Sequence, residues 1–197
     1  MNRYEDINVV LTGNPNTGKT SLLNALAGMS LHVGNWPGKT VEKKEGRISY
    51  KNRSITIVDL PGTYSITPYS EEEKVSHDYL MAQTHAVIVQ TIDVNALERN
   101  LLMTMELLAL EKKIILAFNF NKEAERRGIR IDVPKIREAL QIPIIVIEAN
   151  TGENKEELLN EILKVAQSEF KMPDYIQELL KEDHEIHHDE SIKFLKD

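Results

Sequence analysis

The feature that most constrains this chain is Gly13-Asn14-Pro15-Asn16-Thr17-Gly18-Lys19-Thr20, which fits G-x-x-x-x-G-K-[ST] at every fixed position. Its flanks suit it. Ile7-Asn8-Val9-Val10-Leu11 reads as a buried strand before the loop, and Ser21-Leu22-Leu23-Asn24-Ala25-Leu26 as an amphipathic helix after it. In that setting the loop from Gly13 through Pro15 to Ser21 wraps an anionic phosphate at the positive end of the helix, with the backbone N–H of every residue but Pro15 available to it. Lys19 is placed to reach the β- and γ-phosphates, and the Thr20 hydroxyl to ligate Mg²⁺.

The rest of the chain supplies a fold for such a loop. Apolar strand-like runs alternate with helix-like ones, which predicts an α/β fold: a mostly parallel sheet with helices on both faces. Glu45–Tyr50 and Ser54–Asp59 flank Lys51-Asn52-Arg53 and read as a hairpin that adds one antiparallel edge strand. Leu31 to Thr40, with Gly34, Pro37 and Gly38, reads as a loop, and Glu98–Leu110 as a helix whose Leu and Met spacing is core packing. Asp132 is a plausible N-cap, with Pro134 in the first turn of the following helix. Met172-Pro173 breaks the pattern, and the charged segment after it holds too few apolar residues to fold alone. We therefore expect a nucleotide-binding domain over 1–171 and a helical appendage, or the start of a truncated helical domain, over 172–197.

Composition excludes several other tasks. There are no cysteines, so disulfide and thiol chemistry are out. Acidic residues outnumber basic ones, 31 to 24, which argues against nucleic acid as a partner. No run of roughly 18 apolar residues occurs, and the N-terminus leads straight into a strand without a secretory pattern.

Asp59-Leu60-Pro61-Gly62 follows an apolar strand, 40 residues after Lys19. An Asp there holds Mg²⁺ through water, and Gly62 offers its N–H to a γ-phosphate. A threonine in the loop after the first helix would complete the Mg²⁺ shell only when the γ-phosphate is present, which makes that loop a switch. Spacing alone leaves Thr40 as one of several nearby threonines for this role.

At these residues the chain resembles the FeoB ferrous-iron transport proteins. Val33-Gly34-Asn35-Trp36-Pro37-Gly38-Lys39-Thr40-Val41-Glu42 is similar to their first switch. Asp59-Leu60-Pro61-Gly62-Thr63-Tyr64-Ser65, His77-Asp78-Tyr79-Leu80 and Leu97-Glu98-Arg99-Asn100-Leu101 carry the likeness on, over roughly residues 6 to 168. The resemblance implies a P-loop small-GTPase fold, GTP and GDP as ligands, and hydrolysis to GDP and phosphate with slow turnover. It implies a helical domain and transmembrane domains as partners in the same transporter, and a place on the cytoplasmic face of a membrane. A homo-oligomer is a further arrangement open to the chain. It also gives Asn16 a role: the matching family residue helps coordinate K⁺ beside the β- and γ-phosphates, where a fixed cation offsets developing charge. Thr63 stands where many GTPases place a water-orienting Gln, which fits slow turnover.

One motif departs from the expected pattern. Guanine is ordinarily read by N-x-x-D, whose carboxylate accepts from N1–H and the exocyclic amine. Here the segment is Asn119-Phe120-Asn121-Lys122, and a lysine offers donors to donors. Glu123, next in sequence, is the one local substitute. The last base-contacting loop is Glu148-Ala149-Asn150, in which the Ala149 N–H faces the guanine O6. The site is therefore expected to hold phosphates well and read the base weakly. His184, His187 and His188 share one face if the tail is helical, and a solvated acidic helix explains them better than a metal site does. Two alternatives remain: a free-standing Era-like GTPase of ribosome or RNA biology, which the acidic balance disfavours, and a nucleotide-binding module with little hydrolysis.

Overall fold

Seven strands among the described residues form one sheet, and the first of them in the chain, which runs into the glycine-rich loop, lies at its middle. The computed structural model describes residues 6–178. β1 (Ile7–Thr12) ends at the loop, and α1 (Lys19–Ala27) leaves it. β2 (Leu31–Asn35), β3 (Glu42–Tyr50) and β4 (Arg53–Asp59) follow, then α2 (Glu71–Ala82), β5 (Val87–Asp93), α3 (Leu97–Ala109) and β6 (Lys113–Asn119). The last elements are α4 (Asn121–Arg126), α5 (Val133–Leu140), β7 (Ile144–Val146) and α6 (Lys155–Gln167). β1 pairs in parallel with both β4 and β5, and β5, β6 and β7 continue in parallel. Only the pairings of β3, with β2 and with β4, are antiparallel.

The expected class holds, with one strand more. The turn between β3 and β4 tightens to Lys51-Asn52, both at positive φ, as a two-residue hairpin turn requires. Beyond β3 lies β2, in a segment the sequence presents as loop. Its residues are mostly exposed, so it carries no apolar alternation; main-chain pairing with Glu42–Gly46 makes it a strand.

The central strands are apolar on both faces because helices cover both. Val10, Ile88, Leu116 and Phe118 face one buried cluster with Met103 and Leu107 of α3 and Leu80 of α2. Val9, Leu11, Val89 and Ile115 face the other, with Leu22 and Leu23 of α1 and Leu158 and Ile162 of α6. At roughly 1.5–3 kcal/mol for each large apolar side chain fully buried, these two layers are the main stabilising term. Local signals set the helix starts. Asp132 accepts from Lys135 N at 3.1 Å with Pro134 in the first turn, and Ser70 and Glu73 close a capping box on α2. Ile176, past the Met172-Pro173 break, is buried in the first cluster, and Met172 and Tyr175 pack against it. No helix among the described residues is long and apolar enough to cross a membrane.

Candidate functional site: a phosphate loop between two switches

Between β1 and α1 the chain turns from strand to helix within residues 13–18. Gly13 makes the turn at φ 137°, packed so tightly that a Cβ there would stand 2.5 Å from the Thr91 carbonyl oxygen. Thr17 Oγ1 donates to the Asn14 carbonyl at 2.8 Å and lies 2.6 Å from Thr91 Oγ1, tying the loop to β5. Pro15 is half-buried, and Asn16, at φ 64°, is exposed on the loop crest. Gly18 caps α1, and Ser21 lies half-buried in its first turn. The Asn14 side-chain amide is fully buried.

Lys19 folds back over its own loop, donating to the Gly13 carbonyl at 2.9 Å and the Asn14 carbonyl at 3.0 Å. Burial pushes its ammonium down to about 8, against the opposing pull of Asp59. Asp59 ends β4 opposite. Its Oδ2 accepts from the Thr20 hydroxyl at 2.9 Å, and its Oδ1 is buried without a hydrogen-bond partner. Burial raises the carboxyl above its ordinary range, while the Thr20 hydroxyl and the Lys19 and Lys44 ammoniums pull it back. A buried carboxylate oxygen without a partner is costly, and it marks this pair as fit for a hydrated divalent cation. Gly62 crosses over the loop, near enough that a Cβ would stand 3.0 Å from Lys19 Nζ and from Pro15 Cα. Asn16, Lys19, Thr20, Thr40, Asp59 and Gly62 line one open cavity of about 440 Å³, joined by Glu72 of α2. Thr40 is thereby separated from the other threonines near it in sequence.

The base-side residues assemble at the ends of β6 and β7. Asn119 is buried and braces two loops, donating from Nδ2 to the Thr17 carbonyl at 3.0 Å and accepting from Ala149 N at 3.1 Å. The Ala149 N–H that the sequence assigns to O6 is thus engaged with Asn119 here. Lys122 is exposed; its ammonium pairs with Glu153, which raises its pKa, and its backbone N–H donates to Glu148 Oε1 at 3.1 Å. Asn150 is exposed at the loop tip. Glu123 forms an ion pair with Arg127 at 2.6 Å.

The two switch segments touch each other. Trp36, 8% exposed, meets Tyr79 of α2 edge-on at 4.9 Å, and Lys39 pairs with Glu71 at 2.7 Å. The Thr63 hydroxyl is occupied by the Ser65 carbonyl at 2.5 Å and Glu73 at 3.3 Å. Glu106 of α3 accepts from Ile66 N at 2.7 Å and Ser65 Oγ at 2.9 Å, anchoring the second switch to the core. The Ser70-x-x-Glu73 spacing is the signal that could have found Glu73; Glu106 has no such signal. No group of three metal-ligating side chains occurs among the described residues, and His184, His187 and His188 lie outside them.

The chain matches the family described as ferrous iron transport protein B over residues 7–162. It is 43% identical over 164 residues to the Fe(2+) transporter FeoB of Campylobacter jejuni, a match that takes in 83% of this chain and 27% of that one. The G domain of the T. maritima FeoB iron transporter superposes with a TM-score of 0.78 at 43% identity, covering 83% of this chain and 100% of the other. The cytosolic domain of that transporter in a GDP form gives 0.79 at 38% identity, over 92% of this chain and 73% of the other. The chain thus spans about a quarter of the length of the curated relatives it matches.

Proposed function

This chain belongs to the ferrous iron transport protein B family, and from that premise we propose that it is the nucleotide-operated switch of a ferrous iron transporter. It binds GTP, hydrolyses it slowly to GDP and phosphate, and signals which of the two it holds. The observation that carries the reading is the convergence of Asn16, Lys19, Thr20, Thr40, Asp59 and Gly62 on one cavity.

Lys19 supplies positive charge to the phosphate oxygens, and the N–H groups at the start of α1 face the same oxygens. Thr20 and Thr40 would hold Mg²⁺ directly and Asp59 through water, in keeping with the unpartnered Asp59 Oδ1. That ion supplies neutralisation of charge on the terminal phosphates. Gly62 N–H senses the γ-phosphate. The attacking water is left to the switch backbone, because the Thr63 hydroxyl is already engaged; this supports slow turnover. Asn16, exposed on the loop crest in the same cavity, would offer an amide oxygen to K⁺, which would supply positive charge beside the β- and γ-phosphates. When Gly62 meets the γ-phosphate and the Thr40 loop closes beside it, the Trp36–Tyr79 contact carries the change to α2. The readers of that change are the helical and transmembrane parts of the transporter. This puts the domain on the cytoplasmic face of the membrane, where it can also self-associate.

Lys122 leaves the base weakly read. Titrating fluorescent GDP and ADP is expected to show binding of both, with GDP favoured by less than about 100-fold. A larger preference contradicts the weak base reading, and no binding of either contradicts the function.

A further inference from the structure

We propose that the carboxylate that reads the guanine edge in this chain is Glu148, on the loop between β7 and α6, with Lys122 holding it in place. The inference rests on the reading above, that the domain binds a guanine nucleotide. Guanine presents two adjacent donors, N1–H and the exocyclic amine, and a carboxylate accepts from both. Among residues 119–122 and 148–150, only Glu148 carries one.

The geometry puts that carboxylate in the right neighbourhood. Glu148 Oε1 lies 3.1 Å from Lys122 N, against the very position where N-x-x-D would place its acid. The Lys122 ammonium is drawn away by Glu153, so it does not oppose the two donors of the base. Glu123, the neighbour that sequence offers as a substitute, is taken by Arg127. The backbone of Glu148 is held as well, its carbonyl accepting from Gly152 N at 2.9 Å and Thr151 N at 3.1 Å. The next residue, Ala149, is bonded to Asn119, which is bonded in turn to Thr17 of the phosphate loop. Glu148 is therefore built into the frame that joins the base side to the phosphate side. The acid stands on the neighbouring loop, and a lysine occupies the position where N-x-x-D would place it. With one oxygen already shared with Lys122 N–H, the carboxylate reads the base less tightly than an acid at position 122 would.

The test is a set of affinities for GDP, IDP, XDP and ADP, measured on the native chain, on Glu148→Gln and on the double variant Lys122→Asp/Glu148→Ser. IDP lacks the exocyclic amine, and XDP carries a carbonyl in its place. The native chain should favour GDP over IDP and XDP. Glu148→Gln should weaken GDP by about 10-fold or more, weaken IDP less, and leave ADP unchanged; the unchanged ADP shows that the fold and phosphate site are intact. The double variant should recover GDP preference to at least the native value. Unchanged GDP affinity in Glu148→Gln overturns the proposal. So does a native preference for XDP, which would assign the edge to the Lys122 ammonium. A native chain that binds none of the four nucleotides overturns the nucleotide reading itself, and this inference with it.

Discussion

Replacing Lys19 by alanine is expected to lower GTP and GDP affinity by at least about 100-fold while leaving the domain folded. Two charge-assisted contacts to phosphate oxygens are lost, at roughly 1.5–3 kcal/mol each, and each 1.4 kcal/mol is tenfold. Stability should move by no more than about 1 kcal/mol, because the interactions removed are two hydrogen bonds to loop carbonyls, offset by relief of a buried charge. The same residue gives a pH signature. Burial holds its ammonium at about 8 in the nucleotide-free protein, and phosphate favours the charged form. Affinity should therefore be flat up to about pH 8 and fall above it, approaching tenfold per unit, as the amine loses its proton before binding. Nucleotide titrations across that range, with thermal unfolding of the variant, check both statements. Affinity that stays level through about pH 9 would contradict the lowered Lys19 ammonium, and unchanged affinity in Lys19→Ala would contradict its contact with phosphate.

Gly13→Ala is expected to be among the most damaging single methyl groups in the loop. Its φ of 137° is strained for any L side chain, and the added Cβ would collide with backbone, the Thr91 carbonyl oxygen at 2.5 Å, which no rotamer change can move. Strain and overpacking together should cost about 3 kcal/mol, lowering the melting temperature by about 6–12 °C for a chain of this size. Because β5 must shift to make room, nucleotide binding should fail too. Gly128→Ala is the control: its φ is also positive, at 78°, but nothing lies within 4 Å, so only the backbone strain of about 1 kcal/mol remains. Equal losses at the two positions would mean that the close packing at Gly13 is not what fixes the loop.

The cluster of residues that we assign to the phosphates was legible in the sequence because its spacing is local. Gly13 to Thr20 are consecutive, and Asp59 and Gly62 are three residues apart at the end of an apolar strand. The alternation in β1, where Val10 faces one core layer and Val9 and Leu11 the other, was equally readable as a strand buried on both faces. What was not legible depends on pairing across distance. β2 lacks apolar alternation because it is an exposed edge, and its strand character comes from the hydrogen bonds of β3. Glu148 reaches the backbone N–H of Lys122, 26 residues away, and a main-chain donor leaves no mark on sequence. Lys122 could be read as a missing acid, but its pairing with Glu153 could not. Glu106 looked like any helical surface acid, yet it fastens the second switch to α3. Thr40 needed the fold to separate it from the other threonines near it.

Phosphate release from GTP with Mg²⁺, in potassium chloride against sodium chloride, tests the central claim most directly. A slow steady release that is faster in potassium, that loses its potassium advantage in Asn16→Ala, and that vanishes in Lys19→Ala is the predicted result. No release above the protein-free rate in either salt would contradict the account.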